Sequence, residues 1–207
     1  VLLKTKSIGT NSDRALLLDF QATLETKPEK AIKLEKDALA QIENITADNA
    51  RLVSNLHANL GGLYRMNGYP DLAREHMEKS ISLLDQFNLL HINDSIPQIA
   101  NYAMFLTEQQ EPERGISELQ KLSGIIKEYH SDECLDYAKV QETLGTIYLM
   151  TANLPQAKTH FKRAFKIYEK IWADEPEMIE AKYQEIQELY PQIGFFIGKN
   201  LSGLLTK

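Results

Sequence analysis

The sequence repeats itself with a period of 42 residues, and this spacing constrains the fold more than any other feature. It is clearest in Leu-Gly-Gly-Leu-Tyr at 60–64 and Leu-Gly-Thr-Ile-Tyr at 144–148, which lie 84 residues apart, or two periods. An intermediate unit is centred on Ala103, and a weaker first unit has Asp19 where a small residue is expected. Self-similarity at such a period is typical of stacked repeats, each of which buries its apolar face against its neighbours.

Each unit has the sequence pattern of two antiparallel helices. Apolar residues recur at helical spacing, and three small residues recur at fixed places in each unit. Small side chains let two helices approach closely, whereas the large side chains between them fill the interface and reach the next unit. The small residues of the two clearest units are Gly61, Ala73, Ser80, Gly145, Ala157 and Ala164.

Proline gives independent evidence for the same register. It is tolerated in the first turn of a helix, where its missing N–H would be unpaired in any case. It recurs at the expected start of each second helix, at Pro28, Pro70, Pro112 and Pro155. We therefore expect first helices at about 12–26, 48–67, 95–109 and 134–152, and second helices at about 28–45, 70–88, 112–129 and 154–173. A ninth helix is expected at about 175–190.

The predicted fold class is all-α. We expect a right-handed α-solenoid of antiparallel helix pairs, with about four units and a C-terminal capping helix. A solenoid has one continuous core, so residues 1–207 are predicted to form a single domain. The repeats are assigned to approximately 12–53, 54–95, 96–137 and 138–179, and the capping helix and tail to 180–207.

Composition argues against several classes of function. The net charge is −6 and the pI is near 5.4, whereas a nucleic-acid-binding protein normally presents a basic face. No stretch approaches the roughly 18 apolar residues that a membrane-spanning helix needs. The single cysteine, Cys134, cannot form an internal disulfide, which favours a reducing compartment and a cytoplasmic location. We expect no nucleic-acid partner and no membrane span.

No constellation of residues indicates catalysis. The sequence has no glycine-rich phosphate loop and no serine-centred nucleophile elbow, and its histidines do not have a recognised metal-binding spacing. His57 falls at a core-facing position and is expected to be a packed histidine. Cys134 lies at a helix start without a phased histidine partner, so we expect an inert thiol. The chain is therefore predicted not to be an enzyme, with no catalytic residue, no cofactor and no metal.

The repeat resembles the tetratricopeptide repeat. The Leu-Gly and Tyr of 60–64 and 144–148, the small residues named above and the aromatic Phe161 match that family's Leu-Gly, Tyr, Ala and aromatic positions in order. The usual period is about 34 residues, and the longer units here resemble those of kinesin light chains. The segment 164–170, followed by Asp-Glu-Pro at 174–176, is similar to the helix end and acidic linker of that type. The resemblance implies a protein-binding scaffold.

In such a solenoid the first helices line a concave groove. The residues that face it are those outside the packed stripe of each first helix. In the first unit these include Leu16, Leu17, Phe20 and Leu24. The candidate peptide-binding residues of the later units are Asn55, Asn59, Arg65, Asn101, Met104, Lys139, Thr143 and Thr146.

Two asparagines, Asn59 and Asn101, occupy the same repeat position, and Thr143 occupies it in the fourth unit. An asparagine amide can donate to and accept from a peptide backbone, and the resemblance implies this role here. A solvent-exposed or helix-pairing asparagine is the alternative. Arg65 and Lys139 would add charges for an acidic ligand. Methionines such as Met104 suit an adaptable apolar pocket or simple packing.

Three functional hypotheses follow. The first is a non-catalytic scaffold that binds an extended peptide or a partner helix in the groove. The second is a peptide- or effector-sensing regulatory domain of a larger protein. The third is self-assembly into a homodimer through the apolar tail at 194–198.

Overall fold

A computed structural model describes residues 9–93 and 95–189. In these ranges every regular element is an α-helix, so the predicted all-α class is confirmed. The helices are α1 (Asn11–Leu24), α2 (Pro28–Leu39), α3 (Ala50–Met66), α4 (Pro70–Gln86), α5 (Ser95–Glu108), α6 (Pro112–Tyr129), α7 (Leu135–Met150), α8 (Leu154–Ile171) and α9 (Pro176–Leu189). None of the described helices is long and apolar enough to cross a membrane.

Proline marks the start of each second helix, as the sequence predicts. Pro28, Pro70 and Pro112 are the first residues of α2, α4 and α6. Pro155 is the second residue of α8, one position later, which matches its slip in the 42-residue register. Both positions lie in the first turn, where the backbone N–H has no helical acceptor.

The second helix of the first unit is shorter than predicted. The pattern extends it to 45, but α2 ends at Leu39. The following segment satisfies its backbone with side chains: Asn49 Oδ1 accepts from the Thr46 N–H at 2.8 Å, and Asn49 Nδ2 donates to the Asn44 carbonyl at 2.9 Å. Such local bonds compete with helical ones, and asparagine readily forms them.

Close packing within a helix pair explains the recurring glycines. A Cβ on Gly61 would lie 2.6 Å from Met77 Cγ, and one on Gly145 would lie 2.9 Å from the Phe161 ring. Both distances are shorter than carbon atoms tolerate, so α3 and α7 each need a glycine where the large side chain of the second helix crosses it. The predicted small-to-large contacts are therefore present in α3–α4 and α7–α8.

Helix α9 packs on the preceding pair, as expected of a capping helix. The Tyr183 ring stacks on Phe165 with centroids 4.2 Å apart, and its hydroxyl donates to Glu169. Lys182 forms a half-buried ion pair with Glu142 of α7 at 2.9 Å. The predicted dimerisation tail at 194–198 lies outside the described residues.

The chain divides into two compact units, and the boundary falls inside α5, after Phe105. The first unit contains α1–α4 and most of α5, and the second contains the end of α5 and α6–α9. A single domain over 1–207 therefore stays a prediction. The predicted repeat boundaries at 53/54 and 137/138 fall in the first turns of α3 and α7, because a period fixes the spacing of units but not their starting point.

Candidate functional site

A cavity of about 240 Å³ opens on the first-helix face of the first compact unit. It lies over α3 and α5, and α4 forms part of its wall. It includes two of the predicted groove residues, Arg65 and Asn101. The cavity is lined by Ala58, Gly62, Arg65, Met66, Met77, Ser80, Gln98 and Asn101.

Small residues on the outer side of α3 create this cavity. Leu56 and Leu60 are buried on the packed side, whereas Gly62 has only open space around the position of a Cβ. Met66 follows one turn later on the same face as Gly62, and its side chain is 84% exposed. The cavity therefore has an apolar edge that no described part of the chain covers.

The same face of α1 is more strongly apolar. Leu16, Phe20 and Leu24 occupy the positions that Ala58, Gly62 and Met66 occupy in the next repeat. Phe20 and Leu24 are 61% and 67% exposed. An exposed apolar stripe on one helix face is a common mark of an interaction site, and the sequence predicted that these residues face outward.

A polar network closes the other side of the cavity. Ser54 and Ser80 both donate to Gln98 Oε1, at 2.8 and 2.5 Å, and Gln98 Nε2 donates to Asn55 Oδ1 at 2.6 Å. Asn55, a predicted groove residue, is thus held by an intramolecular bond. The repeat pattern does not identify Gln98, because its role depends on two serines from neighbouring helices.

Asn59 points toward the first repeat rather than into the cavity. Its Nδ2 donates to Asp19 Oδ1 at 2.8 Å and to Glu35 Oε1 at 3.2 Å. It therefore joins α3 to α1 and α2 through two carboxyl groups. Its Oδ1 accepts no hydrogen bond from the residues that the structure describes.

The two carboxyl groups replace an apolar contact of the other repeats. Asp19 and Glu35 stand one period before Gly61 and Met77. Glu35 is 1% exposed, and in the described chain its Oε2 has no hydrogen-bond partner. Burial, and then the adjacent Asp19 charge, raise the pKa of Glu35 to about 8. Glu35 is therefore protonated at neutral pH. The register could have revealed this pair, since a carboxyl group in a core position is rare.

The remaining predicted residues of the first unit differ in exposure. Asn101 is exposed at the cavity, Arg65 is half-buried beside it, and Met104 is half-buried but does not line it. The structure thus brings Arg65 and Asn101 together at the cavity, whereas Asn55 and Asn59 do not line it.

The predicted residues of the second unit lie together on α7. Lys139 is exposed and pairs with Asp136 at 3.7 Å, and the Thr143 hydroxyl donates to the Lys139 carbonyl at 3.0 Å. Thr146 is half-buried one turn later. Both bonds are local to α7, so they fix the side chains without defining a ligand.

His57 is packed, as expected, and its partner is another histidine. The Nδ1 atoms of His57 and His76 are 2.9 Å apart, and His76 stacks on Tyr64. Burial, and then the proximity of His76, lower the pKa of His57 to about 4. Both rings are therefore neutral near pH 7, and one Nδ1–H donates to the other Nδ1. Two periods later, Gln141 and His160 form the equivalent contact at 2.9 Å.

The described residues contain no group of three or more histidine, cysteine or acidic side chains that could hold a metal ion. Cys134 caps α7: its sulfur accepts from the Tyr137 N–H and donates to the Ser131 carbonyl. This is a structural use of the thiol at a helix start.

Comparison with known proteins shows which family model part of this chain matches and which solved structures share its fold. Residues 95–170 match the family model described as tetratricopeptide repeat. A search of curated proteins found no match. Among solved structures, BtubC (BKLC) from P. vanneervenii is similar, with a TM-score of 0.64 and 20% sequence identity. The match covers 76% of this chain and 62% of that chain. A putative kinesin light chain of Podosopora anserina with nearly identical TPR-like repeats has a TM-score of 0.67 and 14% identity over 82% of each chain.

The class defined by the helix pairs and the matched segment is the α-solenoid of tandem repeats. Residues 95–170 match the tetratricopeptide repeat that the sequence predicted, and the fold of the chain is similar to that of kinesin-light-chain-like repeats. Proteins of this family generally mediate protein–protein interaction and are generally non-catalytic.

Proposed function

We propose that this protein is a non-catalytic scaffold that binds an extended segment of a partner protein on the first-helix face of its first compact unit. The observation that carries this proposal is the cavity over α3 and α5, which includes Arg65 and Asn101 and has exposed Met66 at its edge. An extended segment suits this site because it can place one side chain in the cavity while its backbone runs along the face.

The asparagines would have different roles in such a complex. Asn101 offers both the donor and the acceptor of its amide to a peptide backbone. Asn59 offers its Oδ1 only, because its Nδ2 donates to Asp19 and Glu35. Asn55 would hold Gln98 at the cavity wall. Arg65 would favour a segment with an acidic residue near the one that enters the cavity.

The exposed stripe on α1 would extend this surface with apolar contacts. On α7, Lys139, Thr143 and Thr146 would form a second contact region within the other compact unit. The Met104 side chain would support the packing of α5 rather than touch the segment. We propose a cytoplasmic protein, consistent with its single, unpaired cysteine. The homodimer through the tail and the sensing domain of a larger protein stay predictions.

Panning a random peptide library against the intact chain tests the proposal. The selected peptides are then titrated against the wild type and against the Asn101→Ala/Arg65→Ala variant. We expect the variant to bind at least about tenfold more weakly, the cost of losing a charged and an amide contact. A Lys30→Ala/Lys33→Ala variant on α2 serves as the control and should bind as the wild type does. Selected peptides that bind all three proteins equally would refute the cavity as the site.

A further inference from the structure

Helix α8 carries a row of basic side chains on its outer face. Lys158, Lys162, Lys166 and Lys170 follow one another at intervals of four residues, and Arg163 lies beside them. Residues four apart lie on the same side of a helix, and all five are exposed. This concentration of positive charge stands out on a chain whose net charge is −6.

The repeat itself does not require these lysines. At the positions of Lys162, Lys166 and Lys170, the preceding second helix, α6, has Gln120, Gly124 and Glu128. The helix before it, α4, has Glu78, Ser82 and Gln86. Single basic residues do recur, because α2 has Lys36 at the position of Lys162, and α4 and α6 have Lys79 and Lys121 at that of Arg163. No earlier unit has a basic residue at the position of Lys166 or Lys170, so the complete basic row occurs on α8 alone.

The row borders a cavity of about 520 Å³ within the second compact unit. Tyr137 and Ile167, both largely buried, form its apolar floor. At the rim, Lys127 pairs with Asp132 at 3.6 Å and Lys170 pairs with Glu133. The cavity therefore has fixed ion pairs at its edge.

The cations in the middle of the row lack such partners. Lys162, Arg163 and Lys166 all line the cavity, and none of them forms an ion pair with a residue in the described ranges. Like charges at this spacing repel one another, so an anionic ligand would relieve their repulsion.

We propose that this face of α8 binds an acidic segment of a partner protein. Carboxylates would pair with Lys162, Arg163 and Lys166, while a side chain of the segment would cover the apolar floor. Asp132 and Glu133 at the rim disfavour a long polyanion, because a continuous phosphate backbone would pass close to them. Lysines four residues apart on a helix are separated by about 6 Å along its axis, and alternate residues of an extended chain by about 6.8 Å. A segment with acidic residues at alternate positions therefore matches the row.

Fluorescence anisotropy with a labelled peptide of about eight residues, alternating Glu and Ser, tests this proposal on the full chain. We expect Lys162→Glu/Lys166→Glu to weaken binding by at least about tenfold. Lys30→Glu/Lys33→Glu on α2 changes the net charge equally and should change binding by less than about twofold, since distant charges are screened by salt. A peptide with Gln in place of Glu should not bind. Unfolding curves establish that both variants are folded.

The proposal would be overturned if the Glu peptide did not bind at up to about 1 mM in low salt, or if the wild type and the α8 variant bound it equally. An equal loss of binding in the α2 control would also overturn it. So would tighter binding of a single-stranded oligonucleotide or an anionic vesicle, if that binding depended on the same lysines. Asn101→Ala/Arg65→Ala should leave binding of the Glu peptide unchanged. That variant separates this surface from the cavity over α3 and α5.

Discussion

Raising the pH from 5 to 9 should destabilise the packing of the first repeat, because Glu35 is held protonated in the folded chain. The carboxyl group is buried, its Oε1 accepts from Asn59, and a side-chain hydrogen bond to Asp19 favours its protonated form. Its pKa of about 8 lies above the ordinary value of 4.5. Between these two values the folded state binds more protons than the unfolded state, so the free energy of unfolding falls as the pH rises.

The size of the effect follows from the difference between the two pKa values. Each unit is equivalent to 1.36 kcal/mol, which gives an upper bound of about 5 kcal/mol between pH 4.5 and pH 8. The stabilising contribution is complete below pH 4.5 and is lost as the pH passes through 8. The charges that act on Glu35 include Asp19 from α1, while α3 contributes the neutral Asn59 amide. On α2 itself, the Lys36 ammonium lies 5.6 Å from the Tyr64 ring centroid.

Urea unfolding at a series of pH values, with hydrogen exchange followed separately in α1–α2 and α3–α4, measures this effect. Glu35→Gln keeps a side-chain donor for Asp19 but does not titrate. The free energy of unfolding of this variant should therefore fall much less between pH 5 and pH 9 than that of the wild type. Asp19→Gly/Glu35→Met reproduces the Gly61–Met77 contact of the next repeat and should remove the same decline. Parallel pH profiles for the wild type and Glu35→Gln over this range would show that the buried carboxyl group is not the cause.

Two further predictions concern α3 and α7. Because burial lowers the pKa of His57 to about 4, the unfolded chain binds more protons below pH 6.5, and the His57 contribution to stability should rise by up to about 3 kcal/mol from pH 4 to 6.5. This rise opposes the Glu35 effect above pH 4.5, so it is measured in the Glu35→Gln background. His57→Gln, which reproduces the Gln141 contact two periods later, should flatten that rise in urea-unfolding curves. Gly145→Ala forces a Cβ against Phe161 and should cost about 1–3 kcal/mol. Gly62→Ala meets open space and should raise stability by up to about 1 kcal/mol, while obstructing the cavity over α3 and α5. Equal thermal shifts for the two alanine variants would contradict this packing argument.

The sequence predicted the helices well because their boundaries are encoded locally. Proline starts each second helix, and the 42-residue spacing fixes where each first helix crosses it. The exception is α2, after which the Asn49 side chain accepts from the Thr46 N–H and donates to the Asn44 carbonyl in place of helical hydrogen bonds. Asparagine is compatible with either outcome, so periodicity alone could not locate that end.

The candidate site was predicted less completely because it depends on contacts between helices. The repeat position of Asn59 and Asn101 is the same, yet one amide is bonded to the first repeat and the other is exposed at a cavity. The difference arises from Asp19 and Glu35, which give Asn59 acceptors. A sequence pattern that treats the repeats as equivalent cannot predict this difference in hydrogen bonding, because it comes from residues of the neighbouring unit.

Departures from the repeat are therefore more informative about function than the repeat itself. Positions that agree between units, such as Gly61 and Gly145, are explained by packing against the large side chain of the second helix. A buried carboxyl group in place of Met77, and lysines on α8 where α6 has Gln120, Gly124 and Glu128, are not required by packing. The carboxyl pair gives the first repeat a stability that depends on pH, and the lysines give the second unit a charge that the other second helices lack. A change at either place should alter pH response or binding while preserving the fold.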